Sequence, residues 1–405
     1  MRKIDLENFR IATRGTSREI NRQIALNLIR THQPISRAEL ARRMKVRRGV
    51  VSVLVNELLG ERRIFEGTTG EAPRGRKPTY LYIDSRNRSV VAVDIRVSRT
   101  YLQVADLLGR PLAATVTMPT EREPKRMVGL LARRIRQLIR EHPEAGAYEG
   151  IGVTVPGMVD HRTNRVILAP TLGWRDVEID QSLSRATGMP VKIENSGKAC
   201  ALAQMWMARG EEAEGDLAFV SVSDGIGVGI MIRGEIVRGR HSIAGEFGHV
   251  PLSIDGPRCS CGANGCWEAY ISNLATLSRY FGRDLREAKP LPAEVAAFTI
   301  EELIARARTG EGKAIAALQS TARYLGLGLA SIVNAIDPSR LYLGGEIVEA
   351  WDLIESTVRQ AMDERALTPK SVRTEIRIVP LSESPRLRGA VALVAAPEFA
   401  APAVA

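Results

Sequence analysis

Cysteine is scarce in this sequence, four in 405 residues, and no apolar run approaches a membrane span. A disulfide-stapled scaffold and a membrane-spanning chain are therefore both excluded. The first residues, M-R-K-I-D-L-E-N, also lack the apolar segment of a secretory signal. The expectation is a cytoplasmic protein without a membrane partner. Acidic charge is short where the chain starts. Residues 1–88 hold 20 Lys and Arg against 9 Asp and Glu, whereas the rest of the chain holds 37 of each. The net charge of +11 thus sits in the first fifth of the sequence. Charge so localised points to a polyanion gripped by one segment and ignored by the other.

The cysteines that are present are not scattered. Cys259, Cys261 and Cys266 fall within eight residues, and His249 lies just upstream. Three thiolates and one imidazole complete a tetrahedral set for Zn2+, with no open position, so the expected ion is structural. Glu246 and Glu268 bracket these ligands and present acceptors suited to a hydroxyl-rich molecule. The C-x-C spacing is less specific than paired C-x-x-C, so free thiols beside a surface histidine are the competing reading.

Residues 1–17 are polar and basic and read as a loose arm. From Arg18 a helical pattern begins, with Ile20, Ile24 and Leu28 spaced by four. Ser36 and Glu39 form a capping-box pattern for a second helix, and Val51, Leu54, Val55, Leu58 and Leu59 make the apolar stripe of a third. Three short helices followed by Ile64–Glu66 and Thr79–Ile83 as wing strands read as a winged helix-turn-helix over residues 18–84. Its third helix would enter the major groove by its amino end. Arg48 and Ser52 would then reach base edges, with Asn56 further along, and Arg47, Arg42 and Arg43 would meet phosphate. Arg74, Arg76 and Lys77 at the wing tip fit a minor-groove arm or, equally, a solvated basic loop.

From Ser89 onward strands and helices alternate, as in α/β layers. A strand–strand–turn–helix unit recurs in both halves, near Val90–Asp106 and again near Leu217–Ile232. The last ten residues, 396–405, read as a flexible tail.

The segment E-F-G-H at 246–249, followed by C-S-C-G-A-N-G-C-W-E at 259–268, resembles the marker of the ROK family (repressors, open reading frames and sugar kinases). The winged helix resembles the one carried by ROK repressors, and the resemblance runs from about residue 18 to about residue 395. It implies a two-lobed, actin-like and sugar-kinase-like domain over residues 89–395. It also implies zinc on His249, Cys259, Cys261 and Cys266, and a sugar held by Asn195, Glu246, His249 and Glu268, with Gly157 in a Pro-Gly turn. The sequence departs from the family's kinases in three places. Arg96 and Val97 stand at the glycines of the first phosphate loop, Asp224 replaces a threonine in the second, and Ser196 stands where the catalytic base would be. A serine hydroxyl is a poor general base, and losing one costs about 10²–10⁴-fold. The expectation is a sugar-sensing transcriptional regulator that is no enzyme, binding a double-stranded DNA operator as a dimer or tetramer. A bifunctional sugar kinase, or a DNA-binding protein using the second domain only to oligomerise, are the alternatives.

Overall fold

The computed structural model describes residues 14–69, 77–209, 215–285, 295, 297–368 and 374–399. Helix α1 (Arg14–His32) starts four residues before the periodic pattern and overlaps the expected arm; residues 1–13 lie outside the described part. Strand β1 (Ile35–Ser36), α2 (Arg37–Met44), α3 (Arg48–Gly60), β2 (Ile64–Thr69) and β3 (Thr79–Ile83) follow. The strands pair antiparallel in the order β1-β3-β2, giving the wing. The capping box forms only in half. Ser36 Oγ accepts the Glu39 amide at 3.2 Å, but the Glu39 carboxylate pairs with Arg42 and Arg43 at 2.5 and 3.0 Å. Two cations on the next turn outcompete a backbone amide for a carboxylate.

Two five-stranded sheets of like topology build the rest. The first contains β4 (Arg88–Ile95), β5 (Arg99–Asp106), β6 (Val116–Pro119), β7 (Ala147–Val155) and β11 (Val191–Asn195), in the order β11-β7-β4-β5-β6. A small antiparallel sheet, β8 (Met158–Asp160), β9 (Arg165–Ala169) and β10 (Trp174–Val177), projects from its end. The second contains β12 (Leu217–Val222), β13 (Ile226–Ile232), β14 (Glu235–Ile236), β15 (Arg340–Gly344) and β16 (Glu375–Ile378), ordered β14-β13-β12-β15-β16. In each, the first strand pairs antiparallel with its hairpin partner on one side and parallel with a later strand on the other. The recurrence read from the sequence is therefore a repeated fold unit.

Alternation along the strands sorts side chains onto two buried faces. Val91, Val93 and Ile95 face a core with α4 (Pro124–Glu141) and α5 (Ile179–Thr187), and Trp174 is buried there too. Ala218, Val220 and Val222 face α9 (Ile300–Arg308), α10 (Gly312–Ile336) and α11 (Trp351–Asp363), with Trp267 among them. The opposite faces share one core, which includes α6 (Ser196–Met207) and the last helix, α12 (Pro385–Ala395). These two helices approach closely. A Cβ on Gly389 would sit 2.6 Å from the Ala199 carbonyl, which only a glycine avoids. Two short helices, α7 (Glu268–Ile271) and α8 (Asn273–Phe281), follow the cysteine cluster.

That shared core does not stop at the two sheets. Ala25, Leu26 and Ile29 of α1, and Val51, Val55 and Leu58 of α3, belong to it together with Trp206 and Phe399. The winged helix therefore packs on the second domain. The expected flexible tail needs correction over residues 396–399; residues 400–405 lie outside the described part. Phe399 is buried, edge-to-face with Trp206 at 4.8 Å between centroids. Its carbonyl accepts from Asn27 at 2.5 Å. Glu398 pairs with Arg63 at 3.1 Å and Arg88 at 2.5 Å. An aromatic ring finding an apolar slot and a carboxylate finding two cations fix the chain through Phe399. No described helix is long and apolar enough to cross a membrane.

Candidate functional site

Turns bring His249, Cys259, Cys261 and Cys266 together, their ligand atoms all within 4.8 Å of one another. Cys259 Sγ lies 3.7 Å from His249 Nδ1, and Cys261 Sγ lies 3.6 Å from Cys266 Sγ. A tetrahedron with Zn–S about 2.3 Å and Zn–N about 2.0–2.1 Å has edges of about 3.6–3.8 Å, so these two separations match it and the donor types suit zinc. All three cysteines are free of disulfides. Burial, then the neighbouring Cys261 and Cys259, push the Cys266 thiol up to about 12. Because Nδ1 faces the sulfurs, His249 Nε2 is left to point elsewhere.

Glu268 joins this knot to the second glycine-rich loop. One carboxylate oxygen accepts the Ile226 amide at 3.0 Å, and the other accepts Ser260 Oγ at 2.9 Å. Glu246 lies close enough to Lys198, His249 and Glu268 for their charges to act on it. Burial holds its carboxyl above the ordinary range, with Lys198 opposing that shift. From the other lobe comes Asn195, at the start of α6. Its Oδ1 accepts the amides of Gly197 and Lys198 at 2.9 and 3.1 Å, capping the helix. Its Nδ2 donates to the Gly157 carbonyl at 2.7 Å. Gly157 has a φ of 153°, and a Cβ there would meet the Leu168 carbonyl at 2.5 Å. Of the five expected effector residues, Asn195 and Gly157 are thus hydrogen-bonded to each other, and the charge of Lys198, next on the same helix, acts on Glu246.

Sequence reasoning missed Lys198 and its neighbours. Lys198 is 1% exposed and donates to the Ser242 carbonyl at 2.6 Å. Glu194 accepts from Arg238 at 3.0 Å, and His161 Nδ1 lies 3.0 Å from Ser242 Oγ. Burial depresses Lys198, and partial desolvation, then Arg238, lowers the exposed His161. The available signal was a lone lysine in the otherwise apolar run G-K-A-C-A-L-A of a helix.

At the first phosphate loop, Arg96 Nε donates to Asp94 Oδ2 at 2.7 Å, while Thr154 donates to Asp94 Oδ1 at 3.0 Å. The Arg96 guanidinium stacks over Tyr101 at 4.5 Å. Both oxygens of the fully buried Asp94 are thereby held by the chain itself. In the second loop, burial and then Glu346 raise the Asp224 carboxyl. Ser196 donates to the Val155 carbonyl at 3.1 Å.

On the winged helix, Arg47 and Arg48 are exposed at the amino end of α3. Ser52 is half-buried and donates to the Arg48 carbonyl at 3.1 Å. Asn56 is exposed but engaged, accepting both Arg37 Nη groups at 3.0 Å, and Arg37 also pairs with Glu66 of the wing at 3.0 Å. Arg37 was not singled out in the sequence. Arg42 and Arg43 remain exposed despite Glu39. Lys77 is exposed, and Arg74 and Arg76 lie outside the described residues.

A protein-family model described as the ROK family matches residues 90–396. The chain belongs to that family. It is 29% identical over 356 residues to a xylose repressor of Bacillus subtilis, covering 88% of this chain and 89% of that one. Among solved structures, a ROK family transcriptional regulator, a homologue of the Escherichia coli MLC protein, superposes with a TM-score of 0.76 at 24% identity, over 95% of this chain and 97% of its own. A ROK family glucokinase from Streptomyces griseus, solved with glucose and AMPPNP, gives a TM-score of 0.63 at 26% identity. It spans 98% of its own length but 75% of this chain. The ROK domain here is thus an actin-like, sugar-kinase-like fold preceded by a winged helix.

Proposed function

We propose that this ROK protein is a sugar-responsive transcriptional repressor that binds a sugar without phosphorylating it. The observation that carries the reading is the course of α6. Its amino end carries Asn195, which donates to Gly157, and Lys198, which donates to Ser242, beside the residues expected to meet the effector. Its carboxyl end, at Trp206, holds α1 of the winged helix through Arg30. An occupant that shifts Asn195 or Gly157 therefore moves the platform on which the DNA-binding domain rests. The mechanism is a population shift: a sugar that binds one lobe arrangement better favours it, and the two winged helices of a dimer or tetramer change their spacing. Two-fold operators read by paired winged helices supply the reason for an oligomer.

The sugar contacts are Glu246, Glu268, His249 Nε2 and the second amide hydrogen of Asn195, with Gly157 as a backbone support. Zinc on Nδ1 fixes the imidazole so that Nε2 is aimed. The relatives named xylose repressor and glucokinase both support a sugar as the class of effector. Against phosphorylation stand Arg96 on Asp94, the Asp224 carboxyl where a nucleotide phosphate would need positive charge, and Ser196, whose proton is already given to Val155.

A paired assay tests this reading. Duplex binding and ADP release are measured on one preparation with ATP, Mg2+ and a panel including xylose and glucose. Release of DNA by one sugar, without ADP, is expected. Sustained ADP formation would overturn the non-enzymatic reading.

A further inference from the structure

Helix α3 carries an unexplained choice of residues on its outward face. Val50 and Val53 are 45% and 55% exposed, and they are neighbours one turn apart. Gly49 beside them is exposed, and a Cβ there would meet nothing within 4 Å. Glycine and β-branched residues are poor helix formers, and the buried stripe of Val51, Leu54, Val55 and Leu58 already supplies the packing. Nothing in the fold is served by leaving out a side chain at 49 or exposing two valines. The frame around them is cationic. Arg47 and Arg48 are exposed at the start of the same helix, and Arg42 and Arg43 at the end of the preceding one.

We propose that Val50 and Val53 read thymine C5-methyl groups in the major groove, with Gly49 letting the helix backbone approach the bases. The proposal rests on the DNA-binding reading above. An apolar strip inside a ring of arginines fits one occupant well. The arginines meet phosphates, while the groove floor offers an apolar group only where a thymine stands. Arg48 then reads a neighbouring guanine edge or a phosphate, and Val50 and Val53 supply the A·T preference. A second copy of this chain on the same face would bring arginines against arginines.

The full-length, zinc-loaded protein is used to select a site from a random-sequence duplex pool. The selected duplex is resynthesised with deoxyuridine in place of thymine, one position at a time, which deletes only the methyl group. At one or two positions per half-site, affinity should fall about fourfold for each methyl lost. Val53→Ser or Val50→Ser should lower affinity for the thymine duplex and abolish the uracil penalty at the matching position. Circular dichroism melting checks that each variant is folded. The proposal fails if deoxyuridine is tolerated throughout, or if the penalty persists in both serine variants. It also fails if those variants change the mass in solution, which would make the face a contact between copies. A pool that yields no sequence preference at all overturns the DNA-binding reading along with it, so the two failures are distinguishable.

Discussion

The Arg30 guanidinium lies 4.2 Å over the Trp206 indole and donates to the Trp206 carbonyl. Arg30 is in the last turn of α1 and Trp206 in the last turn of α6, so this contact joins the winged helix to the helix that begins at Asn195. Phe399 closes the joint from the side, edge-on to Trp206.

If that joint transmits the signal, loosening it should separate binding from response. Arg30→Met keeps an apolar stem over the indole but removes the hydrogen bond, and Phe399→Leu removes the ring. Both variants are expected to bind duplex nearly as the parent does and to lose most sugar-induced release. Phe399→Ala is harsher, costing about 3 kcal/mol as a buried aromatic deletion. Fluorescence anisotropy with and without sugar checks this; an unchanged sugar response in both milder variants would remove the joint from the mechanism.

Zinc should behave as a structural ion. Cys261→Ser opens the least buried corner of the four-ligand set. The expected outcome is loss of about one metal equivalent and a lower melting temperature, reproduced in the parent by a strong chelator. Metal analysis by mass spectrometry reads it directly, and full retention of zinc in both Cys261→Ser and Cys259→Ser would refute the assignment.

The arginines should divide by role. If Arg42 meets phosphate, Arg42→Ala should weaken affinity uniformly across sequences and flatten the salt dependence of log K by about 0.9. Arg48→Ala should instead narrow the gap between selected and random duplexes. Titrations at several salt concentrations separate the two behaviours. Equal losses on both duplexes would move Arg48 into the phosphate class.

Asp224 sets a pH dependence. Desolvation within its loop, then Glu346, raises the carboxyl of the surface-exposed Asp224 above its ordinary value of 3.8, so the folded chain keeps that proton more tightly than the unfolded one, by an amount that solvent screening keeps small. The corresponding stability is fully present below about 3.8 and is lost as pH rises through the folded value. Asp224→Asn removes the titration, so the variant should gain on the parent as pH rises from 4 towards 7. Denaturation midpoints across that range supply the check, and a pH-independent difference would contradict it.

Much of this was legible from short-range pattern. The His249, Cys259, Cys261 and Cys266 cluster was suggested by spacing, the winged helix by the stripe from Val51 to Leu58, and the paired lobes by recurrence of a strand hairpin. What escaped was long-range. Asn27 meets Phe399 across 372 positions, and Arg30 meets Trp206 across 176, so no local signal marked the tail as docked. Glu39 was read as a cap because Ser36 stood three residues before it, but the pull of Arg42 and Arg43 depends on side-chain geometry. Arg37 on Asn56 and Glu66, and Lys198 on Ser242, are likewise pairings that only the folded chain creates.

The most direct test follows one labelled duplex, taken from the selected pool, as the zinc-loaded protein is titrated in with and without a panel of sugars at physiological salt. The account expects tight, sequence-preferring binding that one sugar weakens at least tenfold. Binding indifferent both to sequence and to every sugar would contradict it.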